Sequence, residues 1–312
     1  MSPAALSVVP DPTPGDSVRF YDVVSADGTR IRAWTNDVDG SMAASPTTPV
    51  VLLCNGLGTN PWTWPALLDP RCGVRVVSWY HRGVGGSERP KQPEDVGIDA
   101  FVEDAIAVLD DAGIAACPVM GWSMGVNTAF ELAALHPERV TGLFAVGGVP
   151  GGTFSSMLAP VFVPRPLRAP LTIGAVRLMR AAGKPLTALA RRLPINRTTI
   201  ELISHSGFML PTSDSANTAH AVRVFLETPT DWYMHLALAT SKHLRVSLRR
   251  IGVPTAFVAG KYDVLASSHD MRTAAFRIDG ATFAELRASH FIAMEQPAEV
   301  HELLLDLLDR VG

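Results

Sequence analysis

Gly121-Trp122-Ser123-Met124-Gly125, preceded by the apolar run Pro118-Val119-Met120 and followed by a helix-forming stretch over 127–135, is the part of the chain that decides the fold. It fits the G-x-S-x-G pattern of a sharp strand-to-helix turn. A turn this tight tolerates only small residues on either side of the serine. It sets the serine at the N-terminus of the next helix with its hydroxyl exposed, where the helix dipole favours a developing negative charge. A structural turn serine is the competing reading. The strand before it and the helix after it favour the chemical one.

Working outward, further short apolar runs each end in a turn. Residues 50–54 stop at Asn55-Gly56, 74–80 at a Gly-rich turn, 140–146 at Gly147-Gly148 and 254–259 at Gly260. Apolar runs without alternation suit strands buried on both faces. In the run that ends at Ser123, Pro118 is expected at the first strand position, where a missing donor is tolerated. Helical stretches lie between the runs, at 98–112 (with Phe101, Ala105, Val108 and Leu109 on one face), 127–135, 267–276 and 297–311. This alternation predicts an α/β fold with a mainly parallel, doubly wound sheet and a ligand site at the carboxyl ends of its strands. Residues 17–36 read as a hairpin around Asp27-Gly28. Residues 150–235, rich in Pro, Arg, Leu and Ala with helical pieces at 173–182 and 185–193, break the pattern. They are expected to form a helical cap inserted into a core of residues 1–149 and 236–312.

The totals suit a globular chain of 312 residues, with 47% hydrophobic and 18% charged residues. A net charge of −3 argues against nucleic acid as the main partner. The distribution is uneven: residues 151–200 hold eight Arg and Lys and no Asp or Glu, a net +8 that leaves −11 on the rest. Three cysteines without framework spacing point to free thiols in a reducing compartment, with Cys54 and Cys117 in apolar runs. No secretory leader is read in 1–16 and no apolar run reaches the ~18 residues of a membrane span. A soluble, cytoplasmic protein is the expectation.

Taken together, these motifs resemble the α/β-hydrolase superfamily, in the branch with a cap after the sixth strand. The resemblance covers most of the chain outside 150–235. Asn55-Gly56-Leu57-Gly58 sits where that family has its oxyanion loop. Arg82-Gly83-Val84-Gly85-Gly86-Ser87 resembles its R-G-x-G-x-S turn, and Gly260-Lys261-Tyr262-Asp263 its acid-bearing G-x-x-D turn. Ser289-His290-Phe291 followed by Glu295-Gln296-Pro297 resembles its final histidine loop. The resemblance implies Ser123 as nucleophile, His290 as general base and Asp263 as the acid that orients it, in the chain order Ser…Asp…His. It also implies an oxyanion hole from the backbone N–H groups of Leu57 and Met124. Two positions depart from the pattern: Asn55 replaces the usual His, and Tyr80 stands where an acidic residue is common. His136, His205, His220, His235, His243, His269 and His301 compete less well for the base, as do Asp270 and Asp279 for the acid.

A serine at position 123 disfavours the relatives of this fold that attack with Asp, the haloalkane dehalogenases and epoxide hydrolases. It suits acyl transfer. The leading expectation is hydrolysis of a carboxylic ester, lipid or thioester of a hydrophobic small molecule, through an acyl-enzyme on Ser123. Alternatives are a cofactor-free haloperoxidase or perhydrolase, a C–C bond hydrolase, and a ligand-binding protein on a hydrolase scaffold. No cofactor is expected, and no metal, because no His/Cys/Asp cluster has ligand spacing. Trp62, Trp64 and Trp122 are candidates for substrate binding. Met157, Leu158, Phe162, Leu167, Leu171 and Met179 are candidates for an apolar lid. The +8 segment reads either as a solvated basic face or as an attraction to anionic partners, a phosphate-bearing acyl donor or a lipid surface.

Overall fold

The apolar runs become the middle of one eight-stranded sheet. The computed structural model describes residues 17–157, 163–205, 208–243 and 246–312. The strands are β1 (Arg19–Val24), β2 (Arg30–Thr35), β3 (Val50–Cys54), β4 (Arg75–Trp79), β5 (Cys117–Trp122), β6 (Val140–Val146), β7 (Thr255–Gly260) and β8 (Thr282–Leu286), in the order β1-β2-β4-β3-β5-β6-β7-β8. The hairpin β1–β2 joins antiparallel, and every pairing from β4 to β8 is parallel. Val51, Leu52 and Leu53 are all fully buried. Successive strand residues point to opposite faces, so the sheet is covered on both. Helix Ile98–Asp111 supplies part of that cover with Phe101, Ala105, Val108 and Leu109, none of them exposed.

Two local expectations shift. β5 begins one residue before Pro118, and its register against β6 skips between Cys117 and Pro118, so the missing donor falls on an irregularity. The helix expected from 173 begins at Arg165 and runs through Pro170 to Ala181.

Between β6 and β7 the chain forms helices Thr153–Ser156, Arg165–Ala181, Gly183–Ala190, Arg197–Ser204, Ser215–Leu226 and Thr230–Thr240. The expected boundary, with the core resuming at 236, lies inside the last of these. Of the lid candidates, Leu158 and Phe162 lie outside the described residues. Leu167, Leu171 and Met179 are 52%, 53% and 40% exposed and face solvent. No described helix is long and apolar enough to cross a membrane.

The R-G-x-G-x-S turn has a structural explanation. The Arg82 side chain is fully buried and makes a forked contact with Asp104 of helix Ile98–Asp111, with its Nη2 2.8 Å from Oδ1. Its Nη1 donates to Asp27 Oδ2 at 2.6 Å and to the Asp95 carbonyl at 2.9 Å. One guanidinium thus ties hairpin, loop and helix together. Gly85 allows the turn because a Cβ there would collide with the Tyr80 ring, and Tyr80 stacks on Phe20 at 6.1 Å in place of an acid.

Removing one member of a buried pair leaves the other charged and unsolvated. Arg82→Met is therefore expected to cost about 3–5 kcal/mol, read as a lower urea midpoint. Asp27→Asn, at the half-buried end of the network, should cost clearly less. The cysteines give a second prediction. All three are free and buried. Burial pushes the Cys117 thiol up to about 12 and that of Cys54 higher still, so little reactive thiolate exists near neutrality. Iodoacetamide at pH 8 should leave both unmodified in the folded protein and alkylate both in urea, as measured by peptide mass spectrometry.

Candidate active site

Ser123 connects β5 to helix Gly125–Leu135 with a φ of 54°, the only positive φ at a non-glycine among the described residues. That left-handed backbone costs about 1–3 kcal/mol and persists only where its surroundings over-determine it. The Ser123 N–H donates to the Val146 carbonyl at 2.9 Å, and its own carbonyl accepts from Val126 N–H at 3.2 Å. The flanking glycines are required by close approach. A Cβ at Gly121 would lie 2.6 Å from the Val126 Cα, and one at Gly125 would collide with the Cys54 carbonyl.

Asp263 follows β7 and His290 follows β8, so both arrive at the carboxyl edge of the sheet beside Ser123. His290 Nε2 is 2.8 Å from Ser123 Oγ, and its Nδ1 is 2.8 Å from Asp263 Oδ2. The other Asp263 oxygen accepts the N–H groups of Leu265 and Ala266 at 2.7 and 2.8 Å. With three donors, a carboxylate only 1% exposed has its acceptors satisfied. An Nδ1–H held by Asp263 leaves the Nε2 lone pair facing the serine hydroxyl. The sequence-derived Ser123, Asp263 and His290 thus converge in space.

Leu57 and Met124 are buried, and among the described residues neither backbone N–H has an acceptor. Their loops touch, because the Cα of Gly125 abuts the carbonyls of Cys54 and Asn55. Asn55 shapes the first loop in place of histidine. Its Oδ1 accepts Gly56 N–H and Trp64 Nε1–H, both at 3.0 Å, and its Nδ2 donates to the Asn60 carbonyl at 3.3 Å.

The three tryptophans pack around the site more than they face into it. Trp64 is 2% exposed and spends its N–H on Asn55. Trp122 donates to the His290 carbonyl at 3.1 Å, meets Trp64 edge-on at 6.1 Å and lies close under Gly56, where a Cβ would sit 2.9 Å from its ring. Trp62 meets the His220 ring edge-on at 4.3 Å. Three of the remaining histidines are bound elsewhere: His235 to the Pro93 carbonyl, His243 to Glu131 and His136 to Glu138 at a helix end. His81, buried against Phe101, is pushed down to about 4 by desolvation and stays neutral.

The helices between β6 and β7 touch the site loops: Tyr233 and Phe225 crowd Gly58, Asn60 Nδ2 donates to the Ala221 carbonyl at 2.8 Å, and Trp232 Nε1 donates to the Arg82 carbonyl at 2.9 Å. One feature of the site was not read from sequence: Glu295, quoted only as part of a motif. Its carboxylate accepts Ser289 N–H at 2.7 Å, Ser289 O–H at 2.5 Å and Leu210 N–H at 2.7 Å. It fastens the residue before His290 to the helical segment. Spacing five residues past His290 was the only sequence signal, and it carried no partner.

Glu295→Ala removes the acceptor of three donors at once. An expected loss of roughly 1–3 kcal/mol is measurable by urea unfolding. The downfield Nδ1–H resonance of His290 should broaden as its loop loosens, while Glu299→Ala, on the next helix, should leave that resonance unchanged.

Comparison with known proteins agrees with this fold. A family model described as alpha/beta hydrolase fold matches residues 49–297. Epoxide hydrolase A of Mycobacterium tuberculosis is 25% identical over 92% of this chain and 96% of its own length. Among solved structures, the enol-lactonase from Burkholderia xenovorans LB400 superposes with a TM-score of 0.68 at 24% identity, over 93% of this chain and all of that one. An esterase from Exiguobacterium antarcticum gives 0.69 at 16% identity with the same coverage. With the sheet order, the serine turn and the family match in agreement, the chain belongs to the α/β-hydrolase fold family.

Proposed function

We propose that this α/β-hydrolase cleaves carboxylic esters of hydrophobic small molecules through an acyl-enzyme on Ser123. The observation that carries this reading is the unbroken relay Ser123 Oγ–His290–Asp263 at 2.8 Å per step. Ser123 Oγ attacks the acyl carbon while His290 Nε2 takes its proton. The carbonyl electrons move onto oxygen, which meets the N–H groups of Met124 and Leu57, each donor worth about 10²–10³ in rate. The tetrahedral intermediate collapses, and the alcohol leaves with the proton from His290. Water then gives a proton to His290 and attacks the acyl-serine, which releases the acid and restores Ser123. Asp263 holds the imidazole tautomer and stabilises its charged form.

An apolar acyl or alcohol group suits the aromatic surroundings. Phe291 lies 6.0 Å from the His290 ring and 5.4 Å from Phe208. In this reading the helices between β6 and β7 form a cap, with Tyr233 and Phe225 over the Gly58 loop. The relatives named epoxide hydrolase raise a second chemistry, which the nucleophile argues against. Serine opening an epoxide would form an ether. An ether has no carbonyl for water to attack, so the enzyme would not turn over.

A fluorophosphonate should add one adduct to the wild type and none to Ser123→Ala, as read by intact mass. A p-nitrophenyl ester series should then be turned over, with kcat lowered about 10³-fold or more in His290→Ala. Styrene oxide should not be consumed. Absence of the adduct on folded protein, or steady epoxide turnover, would overturn the assignment.

A further inference from the structure

We propose that the outer face of helix Arg165–Ala181 is a docking surface for anionic lipid. The helix is fixed to the body of the protein by Ala169, Ile173 and Val176, which are half-buried against the core. At 100° per residue these three lie within about 60° of one another. On the opposite side Leu167, Leu171 and Leu178 fall within about 40° of one another and are 52%, 53% and 71% exposed. A helix packed on a core by one stripe normally turns polar residues outward. This one carries leucine there instead. Scattered exposed leucines need no explanation; three on one ridge do. Further along the same segment Leu189, Leu193 and Leu202 are 58%, 49% and 75% exposed.

Charge selects the occupant. Arg168 and Arg177 flank the leucine ridge roughly a quarter turn to either side, and Arg177 is exposed. Of the eight basic residues in 151–200, only Arg197 meets a carboxylate among the described residues, Glu201 at 3.0 Å. A second copy of the chain would bring the same unneutralised positive segment against this one, so self-association on this face is disfavoured. The −11 on the rest of the chain would turn the same face toward a negative surface. The leucines form a ridge, which suits the headgroup–acyl boundary, with arginines reaching the phosphates on either side. Contact is peripheral, because no described helix is long and apolar enough to span. The surface does not depend on the chemistry assigned to Ser123.

The test is co-sedimentation of the full chain with vesicles of phosphatidylglycerol and phosphatidylcholine, against phosphatidylcholine alone, at 0.1 and 0.5 M NaCl. Binding to the anionic vesicles only, released by high salt, is expected. Arg177→Gln should lower partitioning about fivefold. The triple variant Leu167→Ser, Leu171→Ser, Leu178→Ser should lower it about tenfold or more. Fluorophosphonate labelling of Ser123 should be unchanged in all of them, which separates a failure of this surface from a failure of the proposed reaction. No vesicle binding by the wild type, equal binding to neutral vesicles, or unchanged binding by the variants would overturn the proposal. So would binding of poly-L-glutamate without vesicle binding, which gives the face to an acidic protein, or a dimer in sedimentation velocity that the leucine variant abolishes.

Discussion

A serine cannot rest in left-handed backbone without help, and the architecture around Ser123 is arranged to hold it there. The strand before it and the helix after it leave no slack, because Gly121 and Gly125 lie against Val126 and Cys54 with no space for a Cβ. The Val146 carbonyl on the neighbouring strand accepts the serine N–H. The cost of the strained residue, about 1–3 kcal/mol, is therefore met by burial in the middle of the sheet. The same packing that forces the turn brings the Asn55–Leu57 loop beside the helix N-terminus. Ser123 and the N–H groups proposed to bind the oxyanion are thus products of one steric constraint.

The histidine is positioned by different means, since it sits on a loop. Trp122, one residue before the serine, hydrogen-bonds the His290 carbonyl and so links the β5 turn to the β8 loop. Asp263 holds the ring, and Glu295 holds the preceding residue. Because Glu295 also accepts from Leu210, the helical segment between β6 and β7 shares an anchor with His290. Displacement of that segment would be felt at the imidazole. Arg82 does the corresponding work at the other edge, where its buried charge joins the hairpin to helix Ile98–Asp111 and its carbonyl receives Trp232.

The core and the helical segment obey different rules. In the sheet, apolar residues are inside and the glycines are there for contact. In the segment, leucine lies on the exposed side of a helix whose other side is already packed, and among the described residues Arg168 and Arg177 meet no carboxylate.

Much of this was legible in the chain itself because it is encoded locally. Apolar runs without alternation specify buried parallel strands, and small residues around Ser123 specify the turn. Asp263 and His290 were legible for the same reason, each in a short motif at the end of a strand. Tertiary structure decided what depends on partners distant in sequence. Apolar helix residues look the same whether they face a pocket or solvent, so Leu167 and Leu171 read as an inward lid and prove to face outward. Trp64 and Trp122 are candidates for substrate binding by sequence, but which groups their N–H donors meet, Asn55 and His290 at 9 and 168 positions away, only the fold decides. Glu295 acquires its meaning only when Leu210, 85 positions earlier, folds against it. Local sequence sets which backbone a residue adopts, whereas a side chain's partner is chosen by packing that no short window contains.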